Sequence, residues 1–531
     1  MDRKKSEKSY EGLSPFELKN KLIDMAGSRP EKMMLNAGRG NPNWVATKPR
    51  EAFFLFGEFA LEEGHRVLSR PGMAGAPKSK GIAEHFEEFC RIHAEQRGAQ
   101  FLADAYQYAT EKLGLDGDDY IGEMVDAILG DHYPMPDRVL KSTEKIVRAY
   151  LDATMCNDNP PPGTLDLFVV EGGTAAMTYI FNTLKENGLI SPGDKIALGT
   201  PIFTPYLEIP ILKDYELVVI EIEQDEENEW QYPDAELERL ADPAIKAFFL
   251  VNPSNPTSVR MSGQSLDKIA ELVKTRRRDL IILTDDVYGT FVNGFRSLVA
   301  TASKNTILVY SYSKYFGATG WRLGVIGIYR DNVMDKMIAD LPQAKRQELH
   351  QRYGTITTEP DSLKLIDRLV ADSRAVALNH TAGLSTPQQV MMVFFSFQEL
   401  LDRDSHLYRK EAQDLVRERF ETLYNSLGVE PPQLTRYARY YTTIDIRELA
   451  RTRHGNDFSQ WMEDTHEPID FVWRLAEEKG IVLMDGGGFD APEMSVRVSL
   501  ANLFMEDYEK IGQGISALLE EYRKEWDAEK K

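Results

Sequence analysis

The stretch Ser311-Tyr-Ser-Lys314-Tyr-Phe-Gly-Ala-Thr-Gly-Trp-Arg322 sets one lysine among small hydroxyl residues and glycines, directly after an apolar run. A lysine delivered in this way suits a Schiff base with an aldehyde cofactor, and Ser311 and Arg322 can then hold a phosphate on it. Upstream, Val251-Asn-Pro-Ser-Asn255 closes one apolar run and Thr284-Asp285-Asp-Val-Tyr288 closes another. A pyridine-type ring works as an electron sink only while its nitrogen stays protonated, which a carboxylate such as Asp285 enforces. Asn255 and Tyr288 can both donate to a phenolate oxygen on that ring. Glu171-Gly-Gly173-Thr174 opens an expected helix, where backbone N–H groups and the helix dipole attract phosphate. In Gly199-Thr-Pro-Ile-Phe203, the aromatic ring can stack on a planar ligand. Alone, each motif has a plainer use: a Pro-rigid turn, a helix N-cap, a packing glycine, a core phenylalanine.

These residues share a position in the pattern. Apolar runs at 167–170, 195–198, 217–220, 247–251, 280–283 and 306–310 are separated by helical periodicity, which predicts parallel strands buried on both faces. In an α/β doubly wound sheet, ligands bind beyond the carboxyl ends of the strands, where every one of the motifs falls. Residues 45–130 read as helices interrupted by a Gly- and Pro-punctuated loop at 70–81, and residues 331–385 read as a polar, helical bridge or insertion. From about 386 a second α/β unit is expected. It has strand-like segments at 440–446 and 495–500 and a closing helix at 508–526.

The chain has 531 residues and a net charge of −21, so it repels phosphate backbones and anionic lipid, which argues against nucleic-acid and membrane-surface partners. Its two cysteines, Cys90 and Cys156, make no disulfide framework and no metal-ligand spacing, and no metal site is expected. Neither G-x-S-x-G nor H-E-x-x-H is present, against serine and zinc hydrolases. The charged start has no apolar region after it, and no apolar run reaches 18 residues, so a cytoplasmic protein is expected.

Taken in order, Gly173-Thr174, Phe203, Asn255, Asp285, Tyr288, Ser311, Lys314 and Arg322 resemble the class I aminotransferases, fold-type I enzymes that use pyridoxal 5'-phosphate. The resemblance implies a mostly parallel central sheet flanked by helices, with a smaller α/β domain formed by the N- and C-terminal parts. The implied divisions are an N-terminal arm and helical insertion at 1–135, a cofactor-binding domain at 136–385 and a small domain at 386–531. It implies that Lys314 forms the Schiff base, Asp285 pairs with the ring nitrogen, Asn255 and Tyr288 bond the 3-oxygen and Phe203 stacks on the ring. Gly173, Thr174, Ser311 and Arg322 would hold the phosphate, joined by Tyr133 from a neighbouring subunit. Arg39, Gly40, Asn255 and Arg497 would face the substrate, with Arg497 clamping its α-carboxylate.

The insertions, Arg39, and the strings LNAGRGNPNW, YPMPDRVLKSTEKIVRAYL and NHTAGLSTPQQV resemble a β-decarboxylating branch of that family. That likeness implies removal of the β-carboxyl of L-aspartate to give L-alanine and CO2, with transamination as a side activity and 2-oxo acids regenerating the cofactor. It also implies a homo-oligomer, a dimer at least and larger as a rule. The alternative is a plain aspartate or dicarboxylate aminotransferase. A cofactor-binding regulator without turnover is disfavoured, because residues 1–130 contain no basic DNA-binding head.

Overall fold

The computed structural model describes residues 8, 10, 13–27, 34–376, 378–379, 381–433 and 435–530. At its centre is a seven-stranded sheet. The strands are β1 (Leu165–Val170), β2 (Lys195–Thr200), β3 (Val218–Glu223), β4 (Ile245–Val251), β5 (Ile281–Asp285), β6 (Thr306–Ser311) and β7 (Gly324–Tyr329). Their order is β1-β7-β6-β5-β4-β2-β3, with β7 antiparallel to both neighbours and the remaining pairs parallel. Six strands coincide with the expected apolar runs, but β3, at the sheet edge, is largely exposed or half-buried rather than buried on both faces. The run that forms β7, Gly-Val-Ile-Gly-Ile-Tyr, is broken by glycines and was not among them. Those glycines are there for packing: a Cβ on Gly324 would lie 2.7 Å from the backbone of Gly172, and one on Gly327 would crowd Leu165.

Register explains why the motifs meet. Val251 pairs with Asp285 and Asp285 with Val309, so β4, β5 and β6 finish at one edge and present the Asn255 turn, Asp285 and Ser311 together. The helix that follows β1, Gly173–Glu186, starts at the same edge.

Eight further helices concern the site or its support. They are α1 (Pro15–Gly27), α2 (Thr47–Val67), α3 (Ile82–Ile92), α4 (Arg97–Gln107), α5 (Gly117–Leu129), α6 (Thr386–Leu400), α7 (Leu407–Leu427) and α8 (Met505–Glu529). One apolar core unites the sheet with α2 to α5 and α6 through Phe56, Phe86, Phe101, Met124, Phe394 and Phe395. A second core joins α1, α7 and α8 to a three-stranded antiparallel sheet of β8 (Tyr441–Asp445), β9 (Met484–Asp485) and β10 (Ser495–Ser499). Leu35–Asn36 pairs in parallel with Ile481–Val482, which draws the N-terminal loop onto this second unit.

Packing therefore divides the chain differently from the boundaries expected at 135 and 386. The helices of 47–129 and α6 carry apolar faces that are covered by the large core, and the small core takes residues near 18–37 and 420–526. The loop expected at 70–81 contains a minimal hairpin, Ser69–Arg70 against Met73–Ala74. Among the described residues, no helix is long and apolar enough to cross a membrane.

Candidate active site

The strand-end residues enclose one pocket, lined by Gly173, Thr174, Phe203, Asn255, Asp285, Tyr288, Ser311, Lys314 and Arg322, together with Tyr206, Ser313 and Tyr441. All nine residues expected at the cofactor from this chain are present in it. Asp285 is the last residue of β5 and is buried; its Oδ2 accepts from Tyr206 Oη at 2.7 Å and its Oδ1 from the Val287 N–H at 3.2 Å. Burial pushes its carboxyl up to about 6, against the Tyr206 and Val287 bonds and the positive Lys314. A cation brought against it restores the ionised form, so this carboxyl suits a protonated ring nitrogen.

At the phosphate end, Arg322 adopts a left-handed φ of 57°, and its Nη2 donates to Glu171 O at 2.8 Å and its Nη1 to Thr319 O at 3.0 Å. Gly172 has φ +97°, and a Cβ there would come within 2.3 Å of Arg322 Nη2. Only glycine allows the guanidinium to lie across the start of the Gly173–Glu186 helix, a cradle of N–H groups and positive charge. Ser311 Oγ donates to Ser313 Oγ at 2.9 Å on the same wall.

Lys314 Nζ donates to Gly40 O at 3.0 Å, and Tyr440 Oη donates to the same carbonyl at 2.8 Å. A Cβ on Gly40 would lie 2.3 Å from Tyr441 Oη, so the glycine is required for the N-terminal loop to reach the lysine. Arg497, on β10, is 2 % exposed. Its Nη1 donates to Asn255 Oδ1 at 3.1 Å, its Nη2 to Gly38 O at 2.9 Å, and its Nε has no partner. The Asn255 carbonyl is thus occupied, which leaves its amide N–H groups to donate. No carboxylate among the described residues pairs with Arg497, and burial lowers its pKa. A buried guanidinium without a counter-ion is costly, and a ligand carboxylate is the group that relieves it.

Arg39 is exposed next to Gly40. Lys19, on α1, lies against Gly38, and its pKa is lowered first by burial and then by the charges of Arg39 and Arg497. Lys19, Arg39 and Arg497 are therefore close enough for Lys19 to feel both guanidinium charges, in a protein whose net charge is −21. Tyr133 is 67 % exposed and does not line this pocket, so one protomer does not bring it to the site.

A family model for aminotransferases of class I and II matches residues 166–515. A bifunctional aspartate aminotransferase and L-aspartate β-decarboxylase from a Pseudomonas species is 49% identical over 526 residues, covering 99% of each chain. This chain belongs to the class I and II aminotransferase family. Among solved structures of the fold, the Thermus thermophilus aspartate aminotransferase with maleate gives a TM-score of 0.56 at 16% identity, covering 96% of this chain and 97% of its own. An aromatic aminotransferase from Pyrococcus horikoshii gives 0.57 at 17%, covering 94% and 99%.

Pyridoxal 5'-phosphate fits what an aminotransferase of this family presents here: a phosphate cradle at Gly173 and Arg322, a buried carboxyl for a ring nitrogen and a lysine between them. Sequence reasoning missed four of the neighbouring groups. Tyr206 stands three residues after Phe203 on one helical turn, a spacing that places both on one side and was available as a signal. Ser313 belongs to the lysine motif itself. Tyr441 and Lys19 have no local signature, because each arrives from a different end of the chain.

Proposed function

We propose that this enzyme binds pyridoxal 5'-phosphate and removes the β-carboxyl of L-aspartate, giving L-alanine and CO2, with aspartate transamination as its side activity. The observation that carries the reading is the end-to-end similarity to the Pseudomonas protein with both activities. The grouping of Lys19, Arg39 and Arg497 supports it, because a dicarboxylic amino acid needs more than one positive partner.

When bound, the cofactor supplies an aldehyde that captures the amino group and a ring that withdraws electrons from it. The protein supplies the rest. Arg322, the N–H groups at Gly173 and Thr174, and Ser311 hold the phosphate, while Phe203 covers one ring face. Asp285, held by Tyr206, keeps the ring nitrogen protonated, and Asn255 and Tyr288 bond the 3-oxygen. Arg497 clamps the α-carboxylate, and its counter-charge is then no longer missing. Lys314 would hold the cofactor's aldehyde carbon at rest and would move the proton at Cα. Arg39 would orient the substrate so that the bond to the β-carboxyl stands out of the plane of Cα and its nitrogen; a cation held tightly on the leaving carboxylate would oppose CO2 loss. The assembly is a homo-oligomer in which a neighbouring subunit lends Tyr133.

The test is release of labelled CO2 from aspartate isotopically marked in its β-carboxyl. Release at the rate of alanine appearance is expected. Consumption of aspartate only when a 2-oxo acid is added, with no CO2, would leave a plain aminotransferase.

A further inference from the structure

Loss of CO2 leaves an electron pair on Cβ that must take a proton before alanine can form, and none of the residues assigned above delivers it. We infer that Tyr441 is the acid that protonates Cβ, from a hydroxyl that lines the same pocket as Lys314. The inference rests on the decarboxylation reading above.

Tyr441 opens β8, is buried and lines the cofactor pocket. The spot a Cβ on Gly40 would occupy is 2.3 Å from its Oη and 3.2 Å from Lys314 Nζ, so hydroxyl and amine flank the same small volume. The guanidinium of Arg497 lies 4.2 Å from the centroid of the Tyr441 ring. A substrate clamped there by its α-carboxylate has its Cβ two bonds from the group that Arg497 holds, beside the Tyr441 ring. Tyr288 Oη lies 3.1 Å from Tyr441 Oη, and its one proton is the one assigned to the 3-oxygen, so the two hydroxyls adjoin without fixing where the Tyr441 proton points. The neighbouring Tyr440 differs, since its proton is given to Gly40 O.

In the step, the Tyr441 O–H bond breaks and a C–H bond forms at Cβ with the electron pair left by CO2. The Arg497 guanidinium lies 4.2 Å from the centroid of the ring that then carries the phenolate. The phenolate regains a proton from water when product leaves. Lys314 remains the base for Cα, so the two proton transfers are divided between two residues.

Tyr441→Phe retains the ring and its stacking. In deuterated water, Tyr441→Phe is expected to lower alanine formation by about 10²-fold, the usual contribution of a general acid, while exchange at Cα stays within about twofold of the wild type. Calorimetric affinities of the holoenzyme for maleate, an unreactive four-carbon dicarboxylate, and of the apoenzyme for cofactor are expected to remain unchanged. If exchange at Cα falls as far as alanine formation, Tyr441 acts through Tyr288 and the inference is overturned. If maleate affinity falls by the same factor, Tyr441 only binds substrate, and the inference is likewise overturned. Full alanine formation by Tyr441→Phe also overturns it and leaves the proposed function intact. No alanine from the wild type would instead remove that function.

Discussion

The floor of the pocket is built from one continuous stretch, residues 173–322, in which each functional group leaves the carboxyl end of a strand or the turn after it. The roof gathers Lys19, Gly38 and Gly40 from the N-terminus and Tyr440, Tyr441 and Arg497 from the C-terminal sheet. The floor's groups are fixed by register between parallel strands; the roof's groups meet only because Leu35–Asn36 pairs with Ile481–Val482 across more than four hundred residues. The floor carries the features that any enzyme with this cofactor needs. On the proposed function, the roof adds to the family's Arg497 clamp the groups that set the fate of a dicarboxylate.

If that division holds, changes to the floor abolish both activities, loss of the Arg497 clamp weakens substrate binding for both, and changes to the rest of the roof redistribute them. The largest effect is expected for Lys314→Ala, which lowers decarboxylation and transamination together by about 10⁴-fold. The borohydride-stable pyridoxyl label should vanish from the peptide containing residue 314; its recovery on another lysine would move the floor elsewhere. Next comes Arg497→Lys. It keeps a charge but loses the planar fork, and aspartate binding is expected to weaken by about 10²-fold with cofactor affinity unchanged in a calorimetric titration. Equal loss of both would make Arg497 structural. Arg39→Ala is smaller, lowering decarboxylation more than transamination by about tenfold, the worth of one charge-assisted hydrogen bond. The ratio of keto acid to alanine measures it, and an unchanged ratio would place Arg39 outside the choice of product.

The smallest effect concerns the floor's foundation, beneath the chemistry. Asp286 is fully buried and bonded by Thr284, and burial pushes its carboxyl from 3.8 up to about 7. Because the folded value lies above the unfolded one, the stability it confers is complete below about pH 4 and is lost as pH rises through about 7. The cofactor-free enzyme is expected to lose on the order of 2 kcal/mol from this group between about pH 5 and pH 8. In urea titrations, Asp286→Asn should flatten that slope without altering the product ratio. An unchanged slope would show that Asp286 ionises as it does in the unfolded chain.

The same contrast governs what the sequence discloses. The floor is legible because a buried parallel strand is a short apolar run, and its end marks the residues that face a ligand; Asn255, Asp285, Ser311 and Lys314 all follow that rule. β7 escaped it because its glycines, needed against Gly172 and Leu165, interrupt the run. Gly40 and Arg497 are suggested by family resemblance, and nothing in their own neighbourhood indicates that a bridge between the chain's two ends brings them to Lys314 and Asn255. Lys19 sits on an amphipathic helix like any solvated lysine. The placement of the 47–129 helices was obscure for a related reason, since an apolar helix face does not say which of two cores will cover it.

The most direct test of the account is proton NMR of the purified holoenzyme with L-aspartate and no added 2-oxo acid. The account predicts sustained conversion to L-alanine, with oxaloacetate as a minor product. Oxaloacetate formed once per active site and then nothing, with no alanine, would contradict it.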